Sequence, residues 1–176
     1  IFYKKDEVEL LDWGTYWLSE TPDVPSMGWD AACYRTATWT KLKIKASGKE
    51  FFYVNTHLDH KGKEAQEKGA ALIVERIARI NRDNLPVVLT GDFNLGQDSP
   101  LMSPIENAYV NTRRTALRSD DGATFNGWGK SKSKVQIDHI YQTGFQRCQE
   151  FSVITKKYEN RAFISDHYPI VAELVF

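Results

Sequence analysis

The chain has 176 residues, of which 41% are hydrophobic and 26% are charged, a composition typical of one globular domain with its own core. Its formal net charge is zero, so no overall positive field favours polyanions, and any phosphate chemistry must depend on a local site. No apolar run approaches the roughly 18 residues that a membrane-spanning helix needs, and no secretory leader is recognisable.

The two cysteines and the first residues carry little further information. Cys33 and Cys148 lie far apart and match no metal-binding or redox spacing. We therefore expect two buried free thiols and no disulfide framework. The chain begins with "IFYKK" rather than with methionine, directly in a strand-like run, which suggests a fragment or a processed chain.

The first half of the chain predicts a hairpin, a helix and a buried strand. Thr36–Ala46 alternates like a half-buried strand, and Phe51–His57 is aromatic and β-branched, with "SGKE" as the turn between them. Apolar residues at three- and four-residue spacing predict a helix from Glu64 to about Arg82. "LPVVLTGDFN" then has the continuous apolar pattern of a fully buried strand. The order strand, helix, strand favours a mixed α/β fold.

The second half is less regular. After Asp98 we expect a short helix and a long loop that contains Gly122, Gly127 and Gly129. Three short strands are predicted in "VQIDHIYQT", "RCQEFSVIT" and "YPIVAELVF".

Polar clusters lie at the ends of several of these strands. The clusters are Asn55/His57/Asp59/His60, Asp92/Asn94, Asp138/His139 and Asp166/His167. In sheets with helical crossovers, ligands bind at such strand ends. Carboxylates and histidines that meet at one edge would form a metal site or an acid–base site.

The stretch "NTHLDH" raises the possibility of zinc. His57, Asp59 and His60 fit part of the HxHxDH pattern of metallo-β-lactamase-like hydrolases, but Asn55 stands where the first histidine is needed, and only two histidines remain downstream. The downstream clusters are instead led by carboxylate and amide oxygens, which favour magnesium, calcium or manganese. A zinc hydrolase is therefore the lesser alternative. A polar strand end with no catalytic role is a further alternative.

The stretch "GDFN" admits two interpretations. Asp92 and Asn94 point the same way if the strand continues, and a carboxylate beside an amide can then hold a water and accept its proton. The alternative is an Asx turn that ends the strand. In both cases Gly91 permits a close approach of neighbouring backbone.

The stretch "QIDHI" places an aspartate inside a strand. Asp138 is disfavoured there unless it has a partner. A histidine is the natural partner, because a carboxylate fixes its tautomer and raises its basicity. His167 and His57 are the candidates.

Five motifs taken in order resemble the endonuclease/exonuclease/phosphatase superfamily: "NTHLDH", "GDFN", "TFNGW", "IDHIY" and "SDHYPIVAEL", over Asn55–Leu174. Gly14–Trp39 further resembles the family's bacterial metal-dependent hydrolase branch. The resemblance implies an α/β (α+β) fold, a two-sheet β-sandwich flanked by helices in four layers (α/β/β/α). It also implies phosphoester hydrolysis that uses Mg²⁺ or Mn²⁺.

The resemblance implies catalytic roles for five residues. Asp92 would activate the attacking water, and Asn94 would hold that water and a phosphate oxygen. His167 would contact the scissile phosphate, with Asp138 orienting it. His57 would be the phosphate-side histidine and an acid toward the leaving group.

Further residues are assigned in the same way. Asp166 resembles a metal ligand, and Asn55, Arg35 and Thr124 are candidates for the site wall or for substrate contacts. No role is assigned to His139.

One departure from the family pattern concerns the metal. The principal metal ligand of the family is a glutamate in the N-terminal half, and the sequence contains no matching motif; Glu20 lies in a different context. We therefore expect residues 1–176 to be the C-terminal portion of a single catalytic domain that is incomplete at its N-terminus. We expect this chain alone to bind metal weakly and to have little activity.

Alternatives of two other classes stay open: a non-catalytic binding module that keeps the motifs, and the zinc hydrolase that uses His57, Asp59 and His60. The substrate class is open among nucleic acid, sugar phosphate and phospholipid headgroup, although zero net charge gives no indication of a nucleic-acid groove. Lys130–Lys134, Arg113, Arg114 and Arg118 fit solvated loops better than phosphate contacts. The compartment, bacterial cytoplasm or exported, and the oligomeric state are not predicted.

Overall fold

A computed structural model describes all 176 residues. The nine strands are β1 (Val8–Trp17), β2 (Thr36–Ile44), β3 (Glu50–His57), β4 (Val87–Asp92), β5 (Val110–Asn111), β6 (Arg118–Ser119), β7 (Asp138–Thr143), β8 (Arg147–Val153) and β9 (Ile170–Val175). The helices are α1 (Lys63–Ile80), α2 (Ser103–Ala108) and α3 (Thr112–Thr115), with a 3-10 turn at Pro100–Met102. The predicted hairpin, long helix and buried strand are all present.

The strands form two sheets. The larger sheet has the order β1-β2-β3-β4-β7-β5, and the smaller has the order β6-β8-β9. β1, β2 and β3 form an antiparallel meander, whereas β3 and β4 are parallel. A parallel pair needs a long crossover, and α1 supplies it, so the predicted β-α-β unit is confirmed.

Two hydrophobic clusters hold the layers together. The larger contains 16 buried residues and joins the six-stranded sheet to α1 and α2, with Leu89 and Ile73 fully buried in it. The smaller lies between the two sheets and contains Val88, Ile140, Phe151 and Val153. The expected sandwich of two sheets flanked by helices is confirmed.

Three details differ from the expectations or add to them. β1 is a ten-residue strand that the sequence pattern did not predict. Cys148 is buried as expected, but the thiol of Cys33 is exposed, so the expectation of two buried thiols is wrong for Cys33. None of the helices has both the length and the apolar character needed to cross a bilayer.

Candidate active site

Strand register brings three of the predicted side chains into one row. The parallel pairing of β3 with β4 sets His57 opposite Asp92, and the antiparallel pairing of β4 with β7 sets Asp92 opposite Asp138. Residues opposite each other on neighbouring strands share a face of the sheet. His167 joins this row from the segment that precedes β9 in the other sheet.

The four side chains form a contiguous polar cluster. Asp92 Oδ2 lies 3.2 Å from His57 Nε2 and 3.8 Å from His167 Nε2. His167 Nδ1 lies 2.8 Å from Asp138 Oδ2. His167 is therefore the partner of Asp138, and Asp92 lies between two imidazoles.

The electrostatics of the cluster fix its charges. Burial acts to raise the pKa of Asp92, but the hydrogen bond from His57, the Asn94 amide and the charges of His57 and His167 outweigh it and lower that pKa. Burial acts to lower the pKa of His167, but its hydrogen bond to Asp138 and the neighbouring carboxylates raise it. Asp92 is therefore an ionised acceptor at neutral pH, and His167 retains its second proton to a higher pH than a free imidazole.

Gly91 sets the spacing of the two strands at this point. A Cβ atom added to Gly91 would lie 2.2 Å from the carbonyl oxygen of Thr56 on β3. No residue other than glycine fits there without moving the backbone. The expected close backbone approach is confirmed, and it lies one residue before both His57 and Asp92.

Asn94 does not extend the strand. β4 ends at Asp92, and Asn94 has a φ of 53°. Its backbone N–H donates to Asp92 Oδ1 at 2.8 Å, and its side-chain Nδ2 donates to the carbonyl of Leu58 at 3.0 Å. The same-face arrangement is therefore wrong and the Asx turn is correct. Asn94 therefore fixes Asp92 and links the loops after β3 and β4. The side-chain Oδ1 of Asn94 makes no hydrogen bond within the chain.

Thr124 is a buried support of the site. Its side chain is fully buried, and its hydroxyl accepts hydrogen bonds from the amides of Ile137 and Asp138 at 3.1 and 3.2 Å. The expected substrate contact is therefore wrong. Thr124 holds the start of β7, and its carbonyl accepts from the Tyr168 amide.

Phe125 is a site residue that the sequence reasoning missed. Its ring packs edge-on against His167 with centroids 5.1 Å apart, and the two residues also form an isolated β-bridge. Phe125 lies within the "TFNGW" motif, so the motif marked the segment but not which side chain meets the histidine.

Asn55 and Arg35 flank the cluster. Asn55 is exposed, accepts a hydrogen bond from the Thr90 hydroxyl at 2.9 Å, and lines two depressions of about 270 and 280 Å³. The first depression contains Asp92 and Asp138, and the second contains Arg35 and His57. Both residues therefore line depressions that border the cluster.

Asp166 lies beside the cluster. The donor atoms that approach one another within 4.8 Å belong to Asp92, Asp138 and His167, without Asp166. The Asp166 carboxylate accepts a hydrogen bond from the Ser165 hydroxyl at 3.4 Å. Its charge nevertheless contributes to the raised pKa of His167. The two carboxylates of the cluster are ligands that suit a hard divalent cation.

The zinc arrangement of His57, Asp59 and His60 is wrong. Asp59 is 1% exposed, and its carboxylate accepts four backbone hydrogen bonds, from the amides of residues 32, 33, 61 and 62. The donor atoms of Cys33, Asp59 and His60 do lie within 4.8 Å of one another. The oxygens of Asp59 are occupied, however, and the Arg35 guanidinium lies 3.7 Å away, which opposes a cation.

His139 has a structural position. It is 1% exposed, its Nε2 lies 2.8 Å from the carbonyl oxygen of Leu95, and burial lowers its pKa. The side chain faces away from Asp138 because neighbouring residues of a strand point to opposite faces. His139 is therefore outside the candidate site.

The chain was compared with solved structures. A mannosyl-6-phosphatase of Bacteroides thetaiotaomicron VPI-5482 is 36% identical, with a TM-score of 0.90 over 99% of this chain and 69% of that one. An endonuclease/exonuclease/phosphatase of Bacteroides vulgatus is 38% identical, with a TM-score of 0.88 over 98% of this chain and 67% of that one. The human Nocturnin catalytic domain shares the fold at 15% identity, with a TM-score of 0.72 over 97% of this chain and 61% of that one.

A sequence relative and a family profile complete the comparison. An uncharacterised protein of Acanthamoeba polyphaga mimivirus is 28% identical over 171 residues, which are 88% of this chain and 62% of the relative. The chain thus spans about two thirds of the length of these relatives. The profile of the Endonuclease/Exonuclease/phosphatase family matches residues 6–167. The chain belongs to the Endonuclease/Exonuclease/phosphatase family.

Proposed function

We propose that residues 1–176 are the C-terminal portion of the catalytic domain of a divalent-metal-dependent phosphoester hydrolase. Members of the family are hydrolases that act on phosphoesters. The observation that carries the proposal is the position of Asp92, an ionised carboxylate that lies 3.2 Å from His57 and 3.8 Å from His167. A proton acceptor between two imidazoles suits in-line attack of water on a phosphate.

Asp92 is the proposed general base. Its lowered pKa keeps it ionised, so it can accept a proton from the attacking water. The backbone N–H of Asn94 holds the Asp92 carboxylate in place by donating to its Oδ1. The side-chain Oδ1 of Asn94 has no partner and is free to accept a hydrogen bond from the second O–H of the water.

The two histidines are the proposed phosphate contacts. Asp138 holds Nδ1 of His167, so Nε2 is directed toward the space beside Asp92 and can donate to a phosphate oxygen. The side chain of His57 is 51% exposed, so its ring can reach the leaving oxygen. A histidine that donates a proton there lowers the cost of expelling an alkoxide.

Magnesium or manganese is the proposed cofactor. The Asp166 carboxylate, which the resemblance assigns as a metal ligand, would help to hold the ion beside the cluster of Asp92, Asp138 and His167. A bound divalent cation supplies positive charge that stabilises the developing charge on phosphoryl oxygens. The hard carboxylate ligands favour magnesium or manganese over zinc.

A sugar phosphate is the proposed substrate. The wall beside His57 is lined by hydroxyl and amide side chains, among them Tyr34, Thr38 and Asn55. Such groups suit the hydroxyls of a sugar. The solved relative at 36% identity is a mannosyl-6-phosphatase.

The experiment compares Asp92→Asn with wild type in the full-length protein, using mannose 6-phosphate and bis-p-nitrophenyl phosphate with magnesium. Loss of the general base should lower kcat by about 10²- to 10⁴-fold. Asp83→Asn, a largely exposed aspartate outside the cluster, is the control and should keep wild-type turnover. Full activity in Asp92→Asn would overturn the role of Asp92. A folded wild type without turnover on any phosphoester would favour a binding module.

A further inference from the structure

A third depression, of about 350 Å³, is lined by chain segments that also lead to the candidate active site. We call it the Gln136 depression; it is lined by Gly96–Ser99, Arg113 and Lys134–Gln136. Its two main walls are the segment that follows Asp92 and the segment that precedes Asp138. The same two stretches of chain therefore carry the catalytic carboxylates and this depression.

Two residues that line this depression have buried amide atoms without partners. Gln136 is 3% exposed, and neither its Nε2 nor its Oε1 has a hydrogen-bond partner within the chain. Oε1 of Gln97 is likewise buried and unpartnered. Since buried polar groups in folded proteins are nearly always hydrogen-bonded, the unpaired Nε2 donor of Gln136 indicates a ligand that offers an acceptor oxygen.

The charge of the depression is positive. Arg113 and Lys134 have no carboxylate within ion-pair distance. Arg113 uses only its Nε, which donates to the carbonyl of Asp120, so both terminal nitrogens are free. The one acidic residue in the lining, Asp98, is neutralised by Arg114 at 2.7 Å.

We propose that the Gln136 depression binds an oxyanion of the phosphate type, through the Gln136 amide, the Arg113 guanidinium and the Lys134 ammonium. A planar guanidinium and an amide N–H donor match phosphate oxygens. Given the proposed function, the oxyanion is either a second phosphate group on the substrate or free phosphate. The proximity of the catalytic segments favours the substrate.

Binding is tested by an NMR titration with inorganic phosphate, carried out on Asp92→Asn so that no turnover intervenes. The side-chain amide signals of Gln136 report this depression alone. They should shift and saturate, with affinity at least tenfold lower in Arg113→Ala and Lys134→Ala. Lys132→Ala, an exposed lysine of the same segment outside the depression, should bind as Asp92→Asn does. Signals that do not move, or that move equally in all variants, overturn the proposal.

The source of the oxyanion is tested by kinetics with a hexose 6-phosphate and the corresponding hexose 1,6-bisphosphate. If the substrate carries the second phosphate, Lys134→Ala should raise KM about tenfold for the bisphosphate and leave KM for the monophosphate unchanged. If Lys134→Ala leaves KM unchanged for both compounds while the Gln136 signals still shift and saturate, the depression binds free phosphate. Gln136 shifts in a protein that hydrolyses neither compound would refute the proposed function while supporting this site.

Discussion

Asp92 and Asp59 are both carboxylates, but their surroundings give them different roles. Asp92 faces two histidines and a depression open to solvent. Asp59 is closed in by four backbone amides. Burial alone would raise the pKa of Asp59, but hydrogen bonds from the amides of Gly62, Lys61 and their neighbours hold it well below its usual range. Asp59 is therefore a fixed carboxylate that organises a loop, whereas Asp92 is available to a water.

We predict that Asp59→Asn lowers the free energy of unfolding by roughly 2–4 kcal/mol at pH 7, because an amide NH₂ faces amide donors and leaves them unsatisfied. A carboxyl whose pKa is lower in the folded state stabilises the fold above its unfolded pKa of about 3.9 and loses that contribution as pH falls through the folded value. The difference between wild type and Asp59→Asn should thus shrink below about pH 4.

Urea denaturation at a series of pH values measures this difference. Asp83→Asn, a largely exposed aspartate, is the control and should differ little from wild type at any pH. A difference between wild type and Asp59→Asn that grows on acidification would contradict the assignment.

The sequence predicts which residues meet at the candidate site, but not the orientation and contacts of each side chain. His57, Asp92, Asp138 and His167 stand at strand ends in the sequence, and the sheets bring them together. The orientations of Asn94 and Thr124 depend on partners far away in the chain, the Leu58 carbonyl and the amides before β7. Sequence spacing contains no information about such partners, so the burial of Thr124 could not be predicted and the conformation of Asn94 stayed open between two alternatives.

At the scale of elements, the β3–β4 pair determines the geometry of the site. The pair depends on Gly91, whose Cα faces the Thr56 carbonyl without room for a side chain. We predict that Gly91→Ala costs roughly 1–3 kcal/mol in unfolding free energy. The added methyl group should push β3 and β4 apart and separate His57 from Asp92. The value of kcat should therefore fall by more than the loss of stability alone explains.

Thermal unfolding and kcat, measured together, check this prediction. Gly69→Ala is a matched control, since a Cβ atom there would make only ordinary contacts, the shortest at 3.5 Å, inside α1. It should keep activity and gain up to about 1 kcal/mol from helix propensity. Unchanged kcat in Gly91→Ala would show that the strand spacing does not position the site.

The predictable elements were those with a strong local pattern. The helical period of α1 and the apolar run of β4 could be predicted from the chain alone. β1 could not, because most of its residues are exposed and no regular alternation marks it. β5 and β6 have two residues each and exist only through pairing with β7 and β8.

For the whole molecule, the site depends on how the two sheets are held against each other. Asp92 and Asp138 belong to the larger sheet, and His167 leads into the smaller one. The small cluster around Phe151 lies between them. Packing at this junction therefore sets the distance from His167 to Asp92.

We predict that Phe151→Leu lowers the unfolding free energy by about 1–2 kcal/mol and lowers kcat severalfold, because the smaller sheet shifts. Ile73→Val is the matched control: it removes buried volume at a similar cost of about 1 kcal/mol, but in the cluster beneath α1. It should leave kcat near wild type. Equal effects of the two substitutions on kcat would mean that the sheet junction does not tune the site.

The hydrogen bond between His167 and Asp138 has a consequence for the order in which the molecule folds. It joins residues 29 positions apart, and the pairing of His57 with Asp92 must close around the whole of α1. The β1–β2–β3 meander needs only short connections, and local contacts form faster than distant ones. The cluster of His57, Asp92, Asp138 and His167 is then among the last features to form, so a chain with most of its secondary structure in place would still lack it.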